Sequence, residues 1–175
     1  MFEELTKYSN VVVSGPQRSG TRIAAKIIAY DTSKTYIDER DINYHDFRLL
    51  EWHLLQGNVV IQCPGLCHML HYISFEDTLV VMIRRPVEEI LISEHKKWNM
   101  PSRRLELLKY GCSEGTISRI KYDFWTKVQK SILGKRSMAI NYHDLDTHKL
   151  FIKDRKNFRW DQTRIEDGSA SGCAN

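Results

Sequence analysis

Asn10-Val11-Val12-Val13-Ser14-Gly15-Pro16-Gln17-Arg18-Ser19-Gly20-Thr21 decides the reading of this chain. The segment opens with a β-branched run, and such side chains suit a buried strand. Gly15-Pro16 stops that run. From Gly20 the pattern changes: Ile23, Ile27 and Tyr30, with Ala24 and Ala25 between them, recur at helical spacing. The unit is therefore strand, glycine loop, helix. Glycines at such a turn permit backbone angles that aim several amide N–H groups inward. Those amides, with the positive end of the helix, bind phosphate or sulfate. Arg18 adds a fixed positive charge, and Ser19 and Thr21 add hydroxyl donors. The plainer alternative is an ordinary strand–helix turn that contains glycine.

Moving outward, residues 34–38 form a weak second strand. Residues 47–55 are helical, with Gly57 as the stop. Asn58-Val59-Val60-Ile61-Gln62 is a third strand, ended by Pro64, and Thr78-Leu79-Val80-Val81-Met82-Ile83 is a fourth. Pro86 suits the first turn of a helix over 87–97. Residues 113–133 read as one long helix with Ile117, Ile120, Phe124, Val128 and Ile132 on its apolar face. Ser137-Met138-Ala139-Ile140 is the last strand. Apolar strands alternating with helices predict an α/β fold: a parallel sheet of four to five strands with helices on both faces. Residues 1–165 form one such domain, and the Gly/Ser-rich 166–175 reads as a disordered tail. Ligands of such sheets bind beyond the carboxyl ends of the strands.

Composition bounds the function. The 175 residues are 42% hydrophobic and 27% charged, as in ordinary globular proteins. No apolar run is long enough to span a membrane, and Met1-Phe2-Glu3-Glu4-Leu5 lacks the basic start of a secretory signal. Cys63, Cys67, Cys112 and Cys173 are irregularly spaced, which fits reduced thiols in a cytoplasm. The net charge of +4 suits an anionic ligand without arguing for nucleic acid.

The loop departs from the nucleoside-triphosphatase pattern, in which a glycine, four residues and Gly-Lys-Ser/Thr follow one another. Gly15 and Gly20 keep the spacing, but Thr21-Arg22 stands in place of Lys-Ser/Thr. The lysine for the terminal phosphates and the hydroxyl for magnesium are thus replaced. In contrast, Pro16-Gln17-Arg18-Ser19-Gly20-Thr21 resembles the sulfotransferase superfamily, whose loop carries Pro-x-(Lys/Arg)-Ser-Gly-Thr-(Ser/Thr). Arg22 departs from it, since a second hydroxyl residue is usual there.

A second resemblance is Met82-Ile83-Arg84-Arg85-Pro86-Val87-Glu88-Glu89-Ile90-Leu91-Ile92-Ser93. Arg85 and Ser93 match the arginine and the serine, eight positions apart, that hold the cofactor's 3′-phosphate in that family. A guanidinium grips phosphate through two bonds. Read without the resemblance, Arg84 and Arg85 are solvated charges. Met138-Ala139-Ile140-Asn141-Tyr142-His143-Asp144-Leu145 is similar to a family strand ending in Tyr-Glu-Asp-Leu, with His143 in place of the glutamate, and carries no assigned chemistry. The matches run from about residue 10 to 145. The chain is short for the family and looks like a bacterial- or phage-type member. The resemblance implies a P-loop NTPase-like three-layer sandwich. It implies an enzyme that moves a sulfuryl group from 3′-phosphoadenosine 5′-phosphosulfate to a hydroxyl or amine, leaving adenosine 3′,5′-bisphosphate. It implies a cofactor site of Gly15, Pro16, Gln17, Arg18, Ser19, Gly20, Thr21, Arg22, Arg85 and Ser93. A nucleotide-dependent phosphotransferase and a non-catalytic binding module remain the alternatives.

Sulfuryl transfer needs positioning, charge stabilisation and a base. Arg18 supplies charge. Glu39 closes the second strand, where some relatives place a catalytic glutamate, and is the first choice of base. Asp38 is the second, and a surface acid paired with Arg40 is the plain alternative for Glu39. Cys63-Pro64-Gly65-Leu66-Cys67-His68 resembles the family's Thr-Pro-x-x-x-His, so His68 is the other candidate. It could equally be a capping histidine. Cys63, Cys67, His68 and His71 lack zinc-ligand spacing, and no metal is expected. His45, His53, His95 and His148 receive no role. Trp52, Tyr72, Phe124 and Trp125 read as core or rim. The stretch 153–160 mixes bases with aromatics: a basic flap contributing Arg155 and Lys156 to the cofactor, a nucleic-acid surface, or a solvated stretch.

Overall fold

The computed structural model describes residues 1–98, 113 and 115–151. Arg155, Lys156, Cys112, Cys173 and the tail 166–175 lie outside the described residues. Five strands, β1 (Asn10–Ser14), β2 (Thr35–Ile37), β3 (Val59–Gln62), β4 (Thr78–Arg84) and β5 (Ser137–Asn141), form one sheet in the order β2-β3-β1-β4-β5. Every neighbouring pair is parallel. β1 lies at the centre, with Asn10 opposite Val59 of β3 on one side and Thr78 of β4 on the other. Both its faces are covered, so all five of its residues are buried. This is why Val11, Val12 and Val13 follow one another without a polar residue between them.

Helix α1 (Thr21–Thr32) carries the chain from β1 over β3 to β2. Its Ala24, Ile27 and Ile28 pack with Val11, Val13, Val60, Val81 and Ile83 on one face of the sheet. The other face holds Val12, Ile61, Val80 and Met82 beneath Leu50 and Leu54 of α2 (Phe47–Gln56) and beneath Trp125 and Leu133. Layers on both sides of a parallel sheet make the three-layer sandwich that the strand–helix alternation predicts. Asp46 caps α2 by accepting from the amides of Arg48 and Leu49, and Gly57, at φ +72°, ends it. Helix α3 is Val87–Trp98.

The long helix differs from expectation. It starts at Thr116 as α4 (Thr116–Phe124), opens into a π turn (Trp125–Gln129) and closes as α5 (Lys130–Leu133). Its buried side is Ser118, Trp125, Gln129 and Leu133, while Ile120 and Ile132 are each 57% exposed. Polar side chains set this orientation. Tyr122 Oη reaches the backbone at the end of β4, and Gln129 Nε2 donates to the Cys67 carbonyl at 2.7 Å. The aromatics divide: Trp125 is core, whereas Trp52 and Tyr72 are exposed.

His148, given no role by sequence, is buried against Asp31 at the end of α1, Nε2 to Oδ1 3.1 Å. The other Asp31 oxygen accepts from the Phe2 amide at 2.8 Å and faces the Met1 ammonium at 3.0 Å. This clasp ties both ends of the described chain to α1. Among the described residues, no helix is long and apolar enough to cross a membrane.

Candidate functional site

The site is built on the carboxyl edge of the sheet, where β1, β4 and β2 release the loop, Arg85 and Glu39 respectively. Gly15 has φ +155°, and a Cβ there would lie 2.7 Å from Ser19 Oγ and 2.8 Å from the Ile83 carbonyl. Gly20 has φ +99°, and a Cβ on it would run into the Tyr142 ring. Both positions need glycine for conformation and for space. Arg18 adopts the left-handed region at φ +65° without being glycine, a strain on the order of 1–3 kcal/mol that its surroundings must hold. Ser19 is fully buried, and among the described residues its Oγ has no hydrogen-bond partner.

Ser93 and Arg85 both contact Arg18. Its Nε donates to Ser93 Oγ at 3.1 Å, and its carbonyl accepts from Arg85 Nη1 at 3.1 Å. Ser93, on the second turn of α3, is buried. Thus the structure brings Arg18, Arg85 and Ser93 to one point, although they lie far apart in sequence. Arg85 is itself braced. Its Nε donates to Glu89 Oε2 at 3.0 Å, its backbone amide to Tyr122 Oη at 3.0 Å, and its guanidinium carbon lies 4.2 Å from the Tyr142 ring centre. Glu89 Oε1 in turn contacts His143 Nε2 at 2.8 Å. Burial pushes the Glu89 carboxyl up, but hydrogen bonds from Arg85 and His143 outweigh it and hold the group below its ordinary range.

On the opposite side, Thr21 Oγ1 accepts from Gln62 Nε2 at 3.2 Å, and Gln62 Oε1 accepts from the Glu39 amide at 3.3 Å. Two strand ends, those of β2 and β3, are thereby linked to the first helical turn. Arg22 is turned toward the second strand end, with Nε 3.2 Å from Asp38 and Nη2 3.8 Å from Glu39. Asp38 also accepts from the Arg40 amide, Arg40 Nε and Tyr36 Oη. Burial raises its pKa, yet the Arg40 amide and the Arg22 charge outweigh this and keep it below the usual range. Glu39 is the contrasting neighbour. Its side chain is 15% exposed, and among the described residues its Oε2 has no hydrogen-bond partner. Burial, only partly offset by Arg22, pushes its carboxyl up. Glu39 is therefore the better proton acceptor of the two.

His68 is exposed on the otherwise largely buried turn after β3. Burial first, then the Lys121 charge, lowers its pKa, so it is neutral at pH 7. Cys63 and Cys67 are reduced and buried. Burial pushes both thiols up. Among the described residues, no group of three His, Cys, Asp or Glu side chains is placed to hold a metal ion.

Sequence reasoning did not assign Gln62, Glu89, Tyr122, Tyr142 or His143 to this edge. The signal available was position: each of Gln62, Tyr142 and His143 ends or follows a parallel strand, and Glu89 lies one helical turn after Arg85.

No family model matches the chain, and no curated protein matches it by sequence. Among solved structures, a shikimate kinase from Acinetobacter baumannii in complex with shikimate is similar in fold, with TM-score 0.54 and 15% sequence identity. The match covers 80% of this chain and 87% of that one. The likeness confirms the architecture: a five-stranded parallel sheet between helical layers, of the P-loop kind.

Proposed function

We propose that this chain is a nucleotide-dependent group-transfer enzyme whose loop, Gly15 to Thr21, binds the phosphates, and that the transferred group is the sulfuryl of 3′-phosphoadenosine 5′-phosphosulfate. The observation that carries this reading is the meeting of Arg85 and Ser93 with Arg18 of the loop, through hydrogen bonds of 3.1 Å each. A 5′-phosphosulfate on the loop and a second phosphate beside Arg85 and Ser93 would share one cationic wall. The buried, unpartnered Ser19 Oγ and the glycine-only curve at Gly15 and Gly20 fit an anion held by the loop. Arg85 spends Nε and Nη1 on Glu89 and the Arg18 carbonyl. Nη2 is the guanidinium nitrogen these two bonds do not use, and it would donate to the second phosphate.

When bound, the cosubstrate supplies an electrophilic sulfur: an acceptor oxygen or nitrogen bonds to it as its bond to the 5′-phosphate oxygen breaks. Arg18 and the loop amides stabilise the charge on the departing phosphate. Glu39 takes the acceptor's proton at its buried carboxylate, and His68 is the competing base. Arg22, paired with Asp38, holds the strand end that carries Glu39.

A second reading, a nucleotide-dependent phosphotransferase acting on a small molecule, is favoured by the shared fold with a kinase. The overall likeness supports it better than sulfuryl transfer. Against it stands Thr21, where such loops carry the lysine for the terminal phosphates.

Calorimetry separates the two. Adenosine 3′,5′-bisphosphate is expected to bind at least about tenfold more tightly than ADP or AMP, the contribution of one charge-assisted contact. Tighter binding of ATP with magnesium would replace the sulfuryl reading with the phosphoryl one.

A further inference from the structure

We propose that Glu89 and His143 are positioning residues for the phosphate-binding loop, acting through Arg85 on the left-handed backbone of Arg18. The inference rests on the reading of Gly15–Thr21 as the nucleotide site and adds two residues to its machinery.

The contacts form a single chain across three strand ends. His143, just after β5, touches Glu89 Oε1 at 2.8 Å. Glu89 Oε2 accepts from Arg85 Nε at 3.0 Å, and Arg85 Nη1 donates to the Arg18 carbonyl at 3.1 Å. Each carboxylate oxygen of Glu89 thus has its own partner, which fixes the plane of the carboxyl group and with it the roll of the guanidinium. Tyr142 limits the remaining freedom with its ring beneath that guanidinium and against Gly20. An arginine side chain left alone samples many rotamers, and ordering it costs entropy on each binding event. Here the ordering is done before a ligand arrives, which is the general route by which preorganisation raises affinity.

The pattern has the marks of positioning more than of stability. Glu89 is one-third exposed and His143 more than half exposed, whereas Arg85 between them and the loop is nearly buried. Exposed ion pairs contribute little to folding. What this pair can do is decide where one buried cation points. Arg18 needs such help, since its backbone lies in a region that non-glycine residues avoid.

The test uses Glu89→Ala, His143→Ala and His143→Gln in the full chain. Gln Nε2 can donate to Glu89 as the histidine Nε2 does. Two readouts are taken: calorimetric affinity for adenosine 3′,5′-bisphosphate, and amide hydrogen exchange of the loop without ligand. Glu89→Ala and His143→Ala are expected to weaken bisphosphate binding about threefold to tenfold, the scale of one lost hydrogen bond to a charged group. Exchange at Ser19 and Gly20 should speed up by a similar factor while the central strands keep wild-type protection. His143→Gln should restore both readouts. If the wild type binds no bisphosphate, the nucleotide reading has failed, and loop exchange alone decides the positioning role. Wild-type exchange and affinity in both alanine variants would overturn the proposal. So would a uniform rise in exchange across the sheet, which marks a structural role. Failure of His143→Gln to rescue would remove His143 from it.

Discussion

Arg18 and Glu39 are the two residues on which the chemistry turns. Arg18→Ala is expected to lower transfer activity about a hundredfold or more, the scale for removing one preorganised charge stabiliser. Its melting temperature should stay close to wild type, because Arg18 lies in the loop and outside both apolar clusters. Steady-state assay beside a thermal melt checks both halves. Glu39→Gln should abolish turnover and leave bisphosphate affinity nearly unchanged, and it should also stabilise the fold at neutral pH. The sign follows from burial, which raises the folded-state pKa of Glu39 above its unfolded value. Protonation is then favoured by folding, so wild-type stability falls as pH rises from the unfolded pKa through the folded one. The gap between variant and wild type should widen over that interval, measured by melts at a series of pH values. Paired assays with His68→Ala decide the base. With its pKa lowered, a histidine base becomes neutral and active as pH rises through a point below roughly 6.5, its reference value. A burial-raised carboxylate gains activity above the ordinary carboxylate range. If only His68→Ala loses turnover, Glu39 is a structural acid.

At the scale of elements, the sequence made the strands and α1 legible, because β-branched runs and Ile/Ala spacing each answer to one surface. β2 was weaker and proved one turn of pleat long, Thr35–Ile37, since an edge strand needs little apolar patterning. The face of α4 was not legible. Counting apolar residues selects Ile117, Ile120, Phe124, Val128 and Ile132, but Tyr122 and Gln129 dock on backbone groups and rotate another stripe inward. Hydrophobic periodicity carries no information about such hooks. The difference is measurable. Trp125→Ala, at 1% exposure, should cost about 3–5 kcal/mol by removing a buried aromatic. Ile120→Ala and Ile132→Ala should each stay within about 0.5 kcal/mol, the range for exposed substitutions. Denaturant titration of the three variants checks this, and the reverse ranking would reinstate the apolar stripe as the core face. The loop's glycines were legible as a phosphate-binding pattern, but Tyr142, which makes Gly20 obligatory, comes from the far end of the chain and left no local trace.

For the whole molecule, the clasp at Asp31 shows what sequence cannot display: its partner His148 is remote in the chain, and neither residue belongs to a motif. Burial raises the Asp31 pKa, but the Met1 ammonium, the Phe2 amide and His148 outweigh it and hold the carboxyl below its ordinary range. A depressed carboxylate contributes stability that is present above its unfolded pKa and lost as pH falls through the folded one. Asp31→Asn should therefore melt earlier than wild type at neutral pH, and the two curves should converge under acid, below about pH 4. Parallel curves at every pH would reject the assignment. The strand order carries a further consequence, in time. The central strand finds β3 only when Val59 has been made and β4 only when Thr78 has. At roughly 5–20 residues per second on a ribosome, Asn10–Ser14 waits about 3–14 seconds for its second neighbour. During that interval one edge of the strand that carries Val11, Val12 and Val13 has nothing from its own chain to pair with. A nascent chain halted before β4 is expected to engage chaperones or aggregate, and one halted after β5 to resist protease once released.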